Sequence, residues 1–135
     1  MTESYTILLV DDDEVDIMAV SRALKELKVR NPVAVCRNGE EALQWLKTHP
    51  KPGLVLLDLR MPVMDGLEFL AQAKQDQDLR KVPVVALTTS KEEADRARAF
   101  ELGIAGFMVK PVDPKLYLSV MKTISLYWQT SELAY

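Results

Sequence analysis

Four aliphatic residues in a row, Leu54 to Leu57, end abruptly at Asp58. An apolar run without alternation reads as a strand buried on both faces, the kind found in parallel sheets covered by helices. The carboxylate sits at the strand's carboxyl end. Behind it come Met61-Pro62 and then Val63-Met64-Asp65-Gly66, a breaker followed by turn residues. The backbone therefore loops beside Asp58 before a helix can begin.

The rest of the chain repeats this unit. Residues 6–10 form a short aliphatic strand, followed at once by Asp11, Asp12, Asp13 and Glu14, then by Ile17, Val20, Leu24 and Leu27 at helical spacing. After Pro32, residues 33–36 make a second strand. Asn38-Gly39 reads as a turn before an amphipathic helix over residues 41–47, which His49, Pro50, Pro52 and Gly53 end. A third helix spans residues 67–75, and residues 76–81 are a polar connector. Residues 82–87 are a fourth strand whose tip carries Thr88, Thr89 and Ser90, ahead of a helix start at Glu92 and Glu93 and a stop at Gly103. Residues 106–109 are the fifth strand, ending in Lys110-Pro111, and Asp113-Pro114 opens a last helix running to about residue 128. Five strands alternating with five helices predict an α/β, doubly wound parallel sheet with right-handed crossovers. Functional groups in such sheets gather outside the carboxyl ends of the strands, where the strand order reverses.

Size and charge narrow the function. The 135 residues suit one domain, and 48% hydrophobic with 27% charged residues is an ordinary globular balance. A net charge of −3 offers no basic footprint for nucleic acid. The start lacks the pattern of a signal peptide, the single Cys36 cannot form an intramolecular disulfide, and no apolar run is long enough to span a membrane. A cytoplasmic protein is expected.

The strand tips carry a pattern. Asp11 and Asp12 end the first strand, Asp58 the third, Thr88 the fourth and Lys110 the fifth. Three clustered carboxylates repel, and a hard divalent cation relieves the repulsion. Magnesium, which usually takes one or two protein carboxylates and keeps several waters, suits an open acidic corner of this kind. A carboxylate beside such an ion can attack phosphorus and form an aspartyl phosphate, and Asp58 is the best placed. The transition state spreads charge over three oxygens, which Mg2+, Lys110 and the Thr88 hydroxyl would neutralise.

LLVDDD, DLRMPVMDG, ALTTS and MVKPVD, in that order and at these separations, closely resemble the receiver domain of two-component response regulators, over residues 7 to about 128. Within it, DLRKVPVVALTTS, the late VKPVD and the tryptophan near the end look most like the stand-alone regulators paired with cyanobacterial phytochrome-type histidine kinases. The resemblance implies a flavodoxin-like five-stranded sheet of order 2-1-3-4-5. It implies Asp58 as phosphoacceptor, with Asp11, Asp12, Asp58 and the backbone carbonyl of Arg60 as metal ligands. Thr88 and Lys110 match the phosphoryl-binding and switch positions, and Phe107 matches the aromatic switch position, where a tyrosine stands in many relatives. It also implies a cis Lys110-Pro111 bond and a phosphohistidine on a sensor histidine kinase as donor.

A single domain at residues 1–135 with no output domain is expected, because only QTSELAY follows Trp128. The signal would then leave through the receiver's own surface. On the last helix Leu116, Tyr117, Val120, Met121, Ile124, Tyr127 and Trp128 fill a sector of roughly 140°, wider than one buried stripe needs. Leu118 and Leu126 fall outside it. A homodimer or docking face on this helix is expected, drawn from Tyr117, Leu118, Met121, Leu126 and Trp128.

Taken singly, Asp11 to Asp16 read as helix caps, Asp58 as a turn residue, Thr88 to Ser90 as helix starters and Lys110 as a solvated lysine. Their placement at successive strand ends is what favours a joint site. His49 reads as a surface residue, Cys36 as a small buried apolar group, and Trp45 as core. An aspartyl-phosphate phosphatase of the haloacid dehalogenase class would need a second aspartate where Arg60 stands. An FMN carrier would need a phosphate-cradling loop in place of DDDEVD. A receiver that dimerises without phosphorylation leaves the full set of phosphorylation residues unexplained.

Overall fold

The computed structural model describes residues 5–130; residues 1–4 and 131–135, part of the chain start and tail read above, lie outside them. Five parallel strands, β1 (Ile7–Val10), β2 (Val33–Cys36), β3 (Leu54–Leu57), β4 (Val84–Thr88) and β5 (Gly106–Val109), form one sheet in the order β2-β1-β3-β4-β5. Five helices connect and follow them: α1 (Glu14–Glu26), α2 (Gly39–Thr48), α3 (Gly66–Gln75), α4 (Glu93–Glu101) and α5 (Tyr117–Thr130). This is the flavodoxin-like doubly wound fold.

Burial follows strand position. Every residue of β1, β3 and β4 is buried, whereas β2 and β5, at the edges, are largely exposed or half-buried. The uninterrupted aliphatic runs therefore belong to the centre, where both faces are covered. One face packs Leu8, Val10, Val55 and Leu57 under Leu46 and Phe69 of α2 and α3. The other packs Ile7, Leu9, Leu54 and Leu56 under Val20 of α1 and Met121 of α5.

The helix starts explain several boundary shifts. Asn38 accepts the amide of Glu41 at 2.9 Å, so the Asn-Gly pair is the cap and first residue of α2 and not a free turn. Asp65 and Glu68 form a capping box for α3. Pro83 has no amide to donate, and β4 begins after it. Short 3-10 turns at Leu79–Lys81 and Pro114–Leu116 occupy the expected connector and the expected first turn of the last helix.

Two expectations fail. No peptide bond among the described residues is cis, so Lys110-Pro111 is trans, the cheaper isomer even before proline. The second concerns three of the five residues named for the dimer face. Tyr117, Met121 and Trp128 are 1%, 1% and 5% exposed, and the indole Nε1 of Trp128 donates to the carbonyl of Gly53 at 3.1 Å. They are core, because α5 packs against α1 as well as the sheet and so buries a wider sector than one stripe. Of the named face only Leu118 and Leu126 point outward, at 38% and 60% exposure.

Gly66 lets the loop after β3 fold back on the strand. Its amide donates to the carbonyl of Leu59 at 3.1 Å, and a Cβ there would lie 2.4 Å from the carbonyl oxygen of Asp58. That oxygen and the Leu59 Cα, at 2.7 Å, are backbone, which cannot move aside without shifting Asp58. Gly66→Ala is expected to destabilise the protein by about 3 kcal/mol, within the range of backbone clashes and overpacking. Urea unfolding of both proteins measures it, and an unchanged midpoint would show that the loop is not held this way.

Candidate functional site

The strand order reverses between β1 and β3, and both strands end at the site. Val10 pairs with Cys36 on one side and Leu57 on the other. One residue further on, the amide of Asp11 donates to Cys36 and that of Asp58 donates to Val10, each at 2.9 Å. The ladder thus fixes both carboxylates at the sheet's edge. β4 and β5 bring the other two groups, since the amide of Lys110 donates to the carbonyl of Thr88 at 2.8 Å.

Lys110 is the hub. Its Nζ lies 2.9 Å from Asp11 Oδ2, 2.7 Å from Asp16 Oδ2 and 2.9 Å from Asp58 Oδ2. Burial works against its charge, but the hydrogen bonds to Asp16, Asp11 and Asp58 outweigh it and hold the ammonium above its ordinary range. Asp11 moves the other way. Burial pushes its carboxyl up to about 6, against the opposing pull of the Asp13 amide and Lys110. A phenol completes the group, as Tyr117 donates to Asp16 Oδ1 at 2.7 Å. Burial, then that bond, keeps Tyr117 protonated far above neutrality.

Three carboxylates therefore share one ammonium with a fourth, Asp12, beside them, and the excess negative charge suits a cation. Asp11, Asp12 and Asp58 each offer an oxygen, all within 4.8 Å of one another. Opposite oxygens of a magnesium octahedron lie about 4 Å apart, so small side-chain adjustments fit the three around one hard ion. Arg60, whose carbonyl was expected as a further ligand, donates its amide to Asp58 Oδ1 at 3.2 Å.

The remaining expected residues stand at the margin. Thr88 is fully buried, and its Oγ1 accepts the amide of Ser90 at 3.2 Å, which leaves its own O–H as a donor. Phe107 is half-buried, with its ring 6.5 Å from that of Phe100. His49 is exposed and stacks on Trp45 at 4.4 Å, while burial, then the charge of Glu41, raises the Cys36 thiol to about 11.

Sequence reasoning missed three participants. Asp16 was read as part of a cap, a role that Asp13 fills by accepting the amides of Val15 and Asp16. Tyr117 was assigned outward. The side chain of Arg60 was weighed only as standing where a phosphatase needs an aspartate, yet it pairs with Glu92 at 3.3 Å and with Asp95. Asp95 is buried and also accepts Ser90 Oγ at 2.6 Å, so this network ties the loop after β3 to the start of α4.

The response regulator receiver domain family model matches residues 7–122. The chain belongs to that family. This receiver domain is 35% identical over 131 residues to the probable methanogenesis regulatory protein FilR2 of Methanothrix harundinacea, covering 93% of this chain and 84% of FilR2. It is 35% identical over 128 residues to the response regulator Rcp1 of Synechocystis, covering 90% of this chain and 87% of Rcp1. The crystal structure of the Mn2+-bound form of Rcp1 superposes with a TM-score of 0.89 at 34% identity, covering 97% of this chain and 99% of that one. That of the phosphorylated cyanobacterial phytochrome response regulator RcpA superposes with a TM-score of 0.90 at 32% identity, covering 98% and 99%. No helix among the described residues is long and apolar enough to cross a membrane.

The raised Asp11 has a sign that can be tested. Between about pH 4 and 6 the folded chain holds a proton on Asp11 that the unfolded chain has lost, so stability contributed by the neutral form falls as pH rises through that window. In the absence of divalent cations, Asp11→Asn is expected to gain on the order of 2 kcal/mol over the parent between pH 4 and 7. Magnesium should reduce that advantage at pH 7. Denaturant unfolding across the pH range reads both, and a variant without gain would mean that Lys110 already compensates the charge.

Proposed function

We propose that this receiver domain accepts a phosphoryl group on Asp58 from a phosphohistidine of a sensor histidine kinase, in a magnesium-dependent reaction, and relays the signal through protein contacts. The observation that carries this reading is the buried Asp58 carboxylate, bonded to Lys110 Nζ at the switch point beside Asp11 and Asp12.

The carboxylate needs no base. One Asp58 oxygen forms a bond to phosphorus as the bond from phosphorus to the donor's imidazole nitrogen breaks, and the electron pair stays on that nitrogen. Negative charge then grows on oxygens that Lys110 and the Thr88 hydroxyl can reach as donors. A bound Mg2+ would sit among Asp11, Asp12, Asp58 and the Arg60 carbonyl and supply positive charge for the phosphoryl oxygens. Two residues after Asp58 stands Arg60, whose guanidinium cannot act as a base and is engaged with Glu92 and Asp95. Slow hydrolysis follows, which suits a stored signal and disfavours a turnover phosphatase.

RcpA is a phosphorylated phytochrome response regulator and Rcp1 has been crystallised with Mn2+. By that likeness the kinase partner proposed here is phytochrome-type, and the cation is Mg2+ in the cell.

Intact mass after incubation with acetyl phosphate tests the chemistry. A single phosphoryl adduct is expected with magnesium, none after its removal by a chelator and none on Asp58→Asn. An Asp58→Asn protein that takes the group equally well would move the acceptor elsewhere, and a parent that never takes it would sink the reading.

A further inference from the structure

We infer that Asp16 is the positioning residue for Lys110: anchored by the buried Tyr117 hydroxyl, it holds the ammonium over Asp58 throughout phosphoryl transfer. The inference rests on the proposed phosphorylation of Asp58.

An ammonium has three protons to donate, and in this structure Asp11, Asp16 and Asp58 face all three. The three partners are not equivalent. Asp11 and Asp58 belong to the cation cluster with Asp12, whereas Asp16 does not. Once those two carboxylates are taken up by a cation and by the new bond to phosphorus, Asp16 is the partner that Lys110 can keep. Its contact is also the shortest of the three, at 2.7 Å.

Asp16 is itself held. One oxygen faces Lys110, the other accepts the Tyr117 hydroxyl at 2.7 Å, and the side chain is only 17% exposed. Tyr117 lies in the core between α1 and α5, with 1% of its surface exposed. The rigid packing of that seam thus reaches Lys110 Nζ through two hydrogen bonds. Without it, a flexible four-carbon stem would carry an ammonium free to follow Asp11 away from the reacting oxygen.

Asp16→Asn and Tyr117→Phe test this. Tyr117→Phe keeps the ring in the core and both charges, so it remains informative if Asp16→Asn folds poorly. With acetyl phosphate at saturating magnesium, each variant is expected to phosphorylate about tenfold more slowly, as misplacement of a catalytic group would produce. The magnesium affinity of Tyr117→Phe should stay within about twofold of the parent. The 15N-detected signal of the Lys110 ammonium, sharp in the parent because its protons are bonded, should broaden in both. Parent-like rates in both variants, or a loss of rate that saturating magnesium restores, would overturn the inference. If the parent takes no phosphoryl group at all, the reading of Asp58 falls first and this inference with it.

Discussion

A single buried ammonium among four carboxylates sets the terms for the rest of this domain. Lys110 is drawn out of water, which alone would favour its neutral form, yet its three acidic neighbours keep it charged. The residues that make those contacts come from the ends of β1, β3 and β5 and from the first turn of α1. None is a neighbour of another in sequence except through the fold. A parallel sheet with an order reversal at β1 and β3 is what lets strand ends so distant in the chain meet in a few ångström.

That arrangement is costly, and the surrounding structure shows how the cost is contained. The main-chain ladder leaves Asp11 and Asp58 no freedom to separate, since each amide is bonded to the neighbouring strand. Gly66 brings the next loop against the backbone of Asp58, and the Arg60, Asp95 and Ser90 network ties that loop to α4. Lys110 balances part of the charge of Asp11 and Asp58, and a cation held among Asp11, Asp12 and Asp58 would balance the rest.

Much of this was legible in the sequence because it depends on local pattern. Unbroken aliphatic runs such as Leu54 to Leu57 announce central strands, and the residue after each run must lie at the sheet's edge, so Asp11, Asp58 and Lys110 could be placed together without coordinates. The strand order was implied by resemblance and is seen in the sheet. What could not be read depends on neighbours. The wide apolar sector of α5 gave no sign of whether α1 or a second chain would cover it, and α1 does. Asp16 looked like one more acid in a capping run. A weak signal existed, since Asp16 precedes Val20 by one helical turn and so borders the buried stripe at the end nearest the strand tips. Its pairing with Lys110 and Tyr117, 94 and 101 residues away, needed the tertiary structure.

Tyr117 and Phe107 divide two roles that one aromatic could have combined. A phenol can couple packing to polarity because its ring sits in the core while its hydroxyl reports on a charge. Phe107 lacks that hydroxyl, and its half-buried ring rests near Phe100, which in turn lies 5.4 Å beneath the guanidinium of Arg96. The tip of β4 is tied to α4 by the hydrogen bonds that link Thr88, Ser90 and Asp95, while Phe107 on β5 meets α4 through its ring beside Phe100. Tyr117 has the hydroxyl, and it points at Asp16 on the α1 side of the sheet. Polar contacts thus leave the site on two sides, through Asp16 toward the seam of α1 and α5 and through Ser90 and Asp95 toward α4, where the rings of Phe107 and Phe100 add apolar contact. The proposed chemistry at Asp58 would meet hydrogen bonds that either form or break on both sides, and side-chain volume as well on the side of α4.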